Sequence, residues 1–352
     1  MKNKINIKVL LAVLLVTACF FACKKNYSNP TVAYNISQTN LVADNTSFNP
    51  AFVDANLVNA WGISISGGGG IWISSNGKGL TTIYDKTGKT LLAPVTIPSA
   101  VAGGVGSPTG QVFNNTTDFA ASKFIFADAD GAITAWTSGT TAVKVADRST
   151  LGAEYTGMAL AADGGANFLY VANFKGAKID VFDKTFTFVT GKSFTDPAMP
   201  AGYAPFNIVN IGGLLYVAYA KQLAPANVFE DKGAGNGYVA VFNPNGTFVK
   251  RFASQGTLNA PWGIALAPAG FADSQASILV GNFGDGRINI YDLQGNFKGQ
   301  LQNNGQTITI DGLWAVDFLK GNIAGGNPTD PLYFTAGPAG GAHGLFGSLQ
   351  LH

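Results

Sequence analysis

Between Ala260 and Leu301 the chain reads Ala260-Pro261-Trp262-Gly263-Ile264-Ala265-Leu266, then a loop, then Ser277-Ile278-Leu279-Val280-Gly281-Asn282-Phe283. A glycine turn, Gly284-Asp285-Gly286, leads into Arg287-Ile288-Asn289-Ile290-Tyr291-Asp292. After Leu293-Gln294-Gly295 comes Asn296-Phe297-Lys298-Gly299-Gln300-Leu301. Short apolar runs divided by Gly, Asn and Asp read as strands joined by turns. There are four of them here, and variants of the same passage recur along the chain.

The start of the passage has a near copy in Trp61-Gly62-Ile63-Ser64-Ile65, down to the lead-ins Leu57-Val58-Asn59-Ala60 and Leu258-Asn259-Ala260-Pro261. Related starts stand at Pro108-Thr109-Gly110, Tyr155-Thr156-Gly157, Pro205-Phe206-Asn207 and Leu313-Trp314-Ala315. Aligning Gly62, Gly110, Gly157, Asn207, Gly263 and Ala315 gives steps of 48, 47, 50, 56 and 52 residues. Six units of about 50 residues fit the blades of a β-propeller, each a four-stranded sheet. Second strands repeat as Ile71-Trp72-Ile73, Phe124-Ile125-Phe126, Leu169-Tyr170-Val171, Leu215-Tyr216-Val217, Ile278-Leu279-Val280 and Leu332-Tyr333-Phe334. They are apolar on both faces, as strands buried between blades should be. Third strands such as Ile179-Asp180-Val181-Phe182-Asp183 alternate and end in turns such as Pro244-Asn245-Gly246. The sixth unit lacks an outer strand, while Val32 to Gln38 is a strand to spare. That N-terminal strand is expected to complete the last blade and close the ring, removing the open edges.

The expected fold is therefore all-β, a single six-bladed propeller over residues 31–352. Insertions at Thr195 to Ala204, Gln222 to Asn236 and Gly321 to Asp330 are the long loops where function usually resides.

The first 30 residues read differently. Lys2, Lys4 and Lys8 precede an apolar stretch, Val9 to Ala18, of secretory-signal length. Both cysteines of the chain, Cys19 and Cys23, close this segment behind a small residue, in the manner of a lipoprotein leader. Residues 1–23 are expected to be that leader, with lipidation at Cys23 or Cys19, and 24–30 a polar tether. The expected location is a bacterial cell envelope, lipid-anchored or secreted, with membrane contact only through the anchor. The folded part has no cysteine, which excludes disulfides, thiol catalysis and cysteine metal sites. Without Lys2, Lys4 and Lys8 the chain has 19 basic against 20 acidic residues. No basic patch marks it for nucleic acid.

Several motifs together resemble a known family: Leu57 to Gly62, Phe194-Thr195-Asp196-Pro197, Ala204 to Asn207, Ala260 to Pro268, Val280 to Gly286 and Asp311-Gly312-Leu313-Trp314. The chain is similar to uncharacterised bacterial exported propellers related to the NHL-repeat propellers, from about Asn40 to Leu349. The resemblance implies a six-bladed propeller outside the cytoplasm. It supplies no activity and no catalytic residue.

Propellers bind ligands over the channel, where the innermost strands begin. A calcium-dependent hydrolase or lactonase needs several oxygen ligands there, and the sequence offers only Glu154, Asn207 and Asp311. A lyase of the kind acting on cyclic antibiotics needs a histidine base, and the chain has only His343 and the terminal His352. His343, between glycines, reads as a turn residue. Asp128-Ala129-Asp130-Gly131 lacks the remaining ligands of a calcium loop and reads as a turn. Asn76, Asn173 and Asn282 read as turn residues capping backbone groups. Trp61, Trp262 and Trp314 stand at equivalent positions in three blades. They are either core or, if exposed around a pocket, a stacking surface for a glycan or other flat ligand. With no acid/base pair in view, the sequence points to a binding or interaction module with no cofactor. Its partner is a small molecule, glycan or protein at the channel mouth or the long loops. The calcium propeller enzyme is the alternative.

Overall fold

The computed structural model describes residues 35–318 and 326–352. The leader, the tether, Cys19 and Cys23 lie outside the described residues, as do residues 321–325 of the Gly321 to Asp330 insertion. Six sheets stand in a ring. Blade 1 comprises Ala60–Ile65, Ile71–Ser75, Leu80–Tyr84 and Thr90–Thr96. Blades 2 to 5 repeat the plan, with innermost strands Pro108–Phe113, Tyr155–Asp163, Tyr203–Ile211 and Pro261–Ala267. Blade 6 is built from Leu313–Phe318, Leu332–Ala336 and Leu345–Leu351. Its outer strand is Ile36–Ala43, paired antiparallel with Leu345–Leu351 from Ile36 opposite Leu351 to Ala43 opposite Leu345. The ring thus closes with an N-terminal strand, as expected, although that strand runs on to Ala43 and does not end at Gln38.

Two small elements escaped the sequence reading. Phe52–Val53 adds a fifth, parallel strand to blade 6, and Gln302–Asn303 pairs with Gln306–Thr307 between blades 5 and 6.

The core explains why second strands are apolar on both faces. Six hydrophobic clusters fill the six spaces between blades. Tyr170 and Val181 of blade 3, for example, pack with Ile208, Val217 and Phe242 of blade 4. Every second strand is sandwiched in this way, so alternation would leave a polar face dry. The turns after the third strands of blades 1 and 5 share one device. Asp85 Oδ1 accepts from the Thr87 and Lys89 amides at 2.7 and 3.0 Å, and Gly88 takes φ +91°. Asp292 and Gly295 do the same in blade 5.

A seventh cluster lies on the axis. It joins Trp61, Phe174, Phe206, Trp262, Phe283 and Trp314, from five of the six blades.

Candidate functional site

The channel is set by what the innermost strands carry, level by level. At the aligned position stand Gly62, Gly110, Gly157, Gly263 and Ala315, with Asn207 in blade 4. A side chain there would collide with the next strand: a Cβ on Gly110 would lie 2.6 Å from the Gly157 Cα, and one on Gly263 would lie 2.7 Å from the Trp314 carbonyl oxygen. The small residues let neighbouring backbones touch, and the ring draws shut. Side chains then stitch it. Thr109 Oγ1 donates to the Tyr155 carbonyl at 2.8 Å, Asn207 Nδ2 to the Trp262 carbonyl at 2.9 Å, and the Thr335 hydroxyl to the Trp61 carbonyl.

The aromatic cluster seals the end where these strands begin. Trp314 is its centre: the Trp61 ring stacks on it at 3.6 Å and Phe283 at 3.8 Å, while Trp262 meets it edge-on at 6.0 Å. The Trp262 indole N–H donates to the Thr156 carbonyl and the Trp314 indole N–H to Asn59 Oδ1, each at 2.9 Å. Trp262 and Trp314 are 4% and 3% exposed, and Trp61 is partly buried. Of the two readings of these indoles, Trp262 and Trp314 take the core one, and no pocket stands among three open rings. The rings stack on one another because five blades deliver them to one point, which leaves no face of Trp314 for a ligand. Beside the cluster, the Lys232 ammonium sits 3.9 Å over the Phe283 ring and 3.7 Å from the Glu230 carboxylate. The Gln222 to Asn236 insertion therefore folds back over this end.

The metal candidates are not gathered. Asn207 belongs to the channel ring and lines the cavity described below, whereas Glu154 and Asp311 do not. Asp311 is exposed and accepts from the Ala339 amide at 2.8 Å. Glu154 is half-buried, and burial lifts its carboxyl to about 7, with the Glu230 charge adding to the effect and Lys175 opposing it. Among the described residues no group of three or more His, Cys, Asp or Glu side chains is placed to hold a metal ion.

The turn residues behave as read. Asp128 accepts from the Ser107 and Asp130 amides; burial, then the Asp130 charge, raises its carboxyl to about 8. Asn173 Oδ1 accepts from the Glu154 and Gly176 amides, and Asn282 Oδ1 from the Asn259 amide. Asn76 departs in detail, since its Oδ1 accepts from the Asn59 side chain at 3.0 Å. His343 pairs with Asp44 at 2.8 Å and tethers the loop of blade 6 to the strand that closes the ring.

Beyond the aromatic end the channel widens into a cavity of about 310 Å³, lined by all six innermost strands. Its lining is buried at the ring and partly exposed at Ile65, Phe113, Leu160, Asn210 and Asp317, so it opens where the strands finish. Asp317 is the one ionisable side chain among its described lining residues. Burial lifts this carboxyl to about 7, with only the Phe318 amide bond opposing, and its Oδ1 has no hydrogen-bond partner. Ser64 and Gln111, both 6% exposed, line the same cavity, and Ser64 Oγ and Gln111 Oε1 are likewise unpartnered. Gln111 is locked in place because its Nε2 donates to the Gly62 carbonyl at 3.1 Å and to the Trp72 carbonyl.

Sequence reasoning missed Asp317. The signal was there: counting two residues on from the aligned position gives Ser64, Val112, Ala159, Val209 and Ala265 in the other blades. Asp317 is the lone charge in that series.

The fold and channel define an all-β, six-bladed propeller. Uncharacterised protein R648 of Acanthamoeba polyphaga mimivirus is 33% identical over 350 residues, spanning 94% of this chain and 84% of that protein. Protein L690 of the same virus is 34% identical over 336 residues, spanning 90% and 85%. The chain belongs to the family of these proteins. They are viral, and they lend no support to the bacterial origin or the export that the sequence resemblance implied. No family model matches the chain. Among solved structures, streptogramin B lyase superposes with a TM-score of 0.54 at 12% identity, over 91% of this chain and 98% of that one. The soluble aldose sugar dehydrogenase of Escherichia coli gives 0.56 at 14%, over 90% and 100%. The calcium-binding protein regucalcin of Agrobacterium tumefaciens gives 0.52 at 15%, over 84% and 92%. At these identities the likeness is one of fold alone.

Proposed function

We propose that the protein is a non-catalytic binding propeller that receives a small ligand in the channel cavity, from the end opposite the aromatic cluster. The observation that carries this reading is the cavity's own composition. It is concave and mostly apolar with a few polar groups, the usual make-up of a small-molecule site. Yet Asp317 is the one ionisable side chain among its described lining residues, the Ser64 hydroxyl has no hydrogen-bonded base to activate it, and acid/base or nucleophilic catalysis needs a partnered pair. The rival calcium-dependent hydrolase requires Glu154, Asn207 and Asp311 on one ion, and their separate settings give it no support. In this reading the leader exports the chain and Cys23 or Cys19 anchors it in an envelope, which intact-mass measurement of the processed protein tests.

The binding reading is tested by thermal-shift screening of small-molecule pools against the wild type and Ile65→Trp, which fills the cavity mouth. Ligands that raise the wild-type melting temperature and leave the blocked variant unmoved support it. Equal shifts in both proteins place the binding elsewhere and overturn it.

A further inference from the structure

We propose that the cavity selects a small organic ammonium, its positive group on the Asp317 carboxylate and its carbon skeleton against Leu160 and Val209. The inference rests on the reading of the cavity as a binding site and adds the class of ligand.

Three independent features point to a cationic hydrogen-bond donor. First, the unpartnered polar atoms lie on successive innermost strands: Asp317 Oδ1 on blade 6, Ser64 Oγ on blade 1 and Gln111 Oε1 on blade 2. Two of the three are pure acceptors, because Gln111 has committed its amide protons to the Gly62 and Trp72 carbonyls. The hydroxyl of Ser64 accepts as well as donates. A ligand that satisfies them together brings protons, and an ammonium carries three donors.

Second, the charge balance is one-sided. Among the described lining residues Asp317 has no cationic neighbour. The innermost strands on either side, Ala60–Ile65 and Pro261–Ala267, carry no charged residue. On the second strand of its own blade Tyr333 stands directly opposite, and its hydroxyl is turned to the Lys86 carbonyl at 3.2 Å. A partly buried carboxylate without a counter-ion is costly. A ligand that supplies the opposite charge with a hydrogen bond offsets that cost.

Third, the side of the channel facing this polar sector offers hydrocarbon surface from Leu160 of blade 3 and Val209 of blade 4, both partly exposed. The side-chain amides of Asn207 and Asn210 beside them are taken up by the Trp262 and Leu160 carbonyls. In a ring of six these blades stand across from blades 6 and 1. The pocket is amphipathic, and a hydrocarbon bearing one amine matches it, whereas an inorganic cation leaves the apolar wall unused.

The test is isothermal titration calorimetry at pH 8 with matched probes of one chain length: n-hexylammonium, 1-hexanol and hexanoate. Wild type is expected to bind n-hexylammonium at least tenfold more tightly than 1-hexanol and to reject hexanoate. Asp317→Asn should lose that preference while keeping its affinity for 1-hexanol, which shows the cavity intact. Between pH 8 and pH 6 the ammonium affinity should fall about tenfold as the carboxyl takes up a proton, with 1-hexanol unchanged. Equal binding of ammonium and alcohol, or an unchanged preference in Asp317→Asn, overturns the ammonium assignment and leaves the cavity reading standing. If no probe binds wild type more tightly than Ile65→Trp, the cavity reading falls, and this inference with it.

Discussion

The two ends of the channel are built from the same six strands and are opposites. Where the strands begin, five blades send an aromatic ring to the axis and the rings close on one another. Where they finish, side chains part around a cavity whose described lining carries a single carboxyl. The position of the small residues makes the difference. Gly62, Gly110, Gly157, Gly263 and Ala315 pull the backbones together at one level. The aromatic rings just before that level have nowhere to go but onto each other. The side chains after it diverge with the twist of the sheets. A closed, tightly packed end should respond to substitution as core does, and an open, polar end should respond as a site does.

The sharpest way to break this comparison is Trp314→Ala. Trp314 has an aromatic ring stacked on each face, and truncating a large buried aromatic costs about 3–5 kcal/mol. A urea titration should show the midpoint fall accordingly. A loss under 1 kcal/mol would mean that the rings are a surface platform after all. Next in size is Gly263→Ala. The new methyl would press on the Trp314 carbonyl oxygen at 2.7 Å and on Val316 at 3.1 Å. Overpacking of this kind costs about 1–3 kcal/mol, read from the same titration. A neutral result would show that the ring has slack and that the small residues are not what closes it.

The repeats made the closed end legible. Each blade start is a variant of Trp262-Gly263-Ile264, so strand count, ring closure and the equivalence of Trp61, Trp262 and Trp314 followed from alignment. What alignment cannot say is whether equivalent indoles point apart or together, because that depends on how tightly the ring draws in. That is a property of six strands at once. The open end was hidden for the opposite reason. Asp317 breaks the pattern of its level, and a reading tuned to recurrence passes over the exception. Phe52–Val53 was hidden because two exposed residues carry no periodicity.

Asp317→Asn probes the open end, and its effect has a sign. The carboxyl is held at about 7 in the folded protein, against roughly 3.9 in an unfolded chain. The folded state thus binds the proton more tightly, and stability declines as pH rises from about 4 to about 7. Above that window the charged carboxylate, held only by the Phe318 amide among the described residues, costs up to about 4 kcal/mol. Asparagine removes the charge, so the variant should gain on wild type as pH goes from 4 to 8. Thermal melts across that range check this. Asp128 titrates with the same sign at about 8, so the difference between variant and wild type, rather than either curve alone, isolates Asp317. Parallel curves would show the carboxyl ordinarily solvated and remove the physical basis for calling this end a site.

The smallest effect belongs to the periphery of the closed end. His343 donates from Nδ1 to Asp44 Oδ2 at 2.8 Å, and the Asn45 side-chain nitrogen lies 3.0 Å from the same ring nitrogen. The backbone around it is already held, since Asp44 and Gly344 are joined by an amide-to-carbonyl bond and Asn59 donates to the His343 carbonyl. His343→Ala removes the side-chain link and leaves those bonds in place. Its imidazole is 40% exposed, so the link is worth about 0.5–1 kcal/mol at most. The expected result is a slight fall in the urea midpoint and no change in ligand binding at the far end. A loss comparable with Trp314→Ala would mean that the ring is held shut at its seam, by the strand Ile36–Ala43 and its tether, and not by the aromatic packing on the axis.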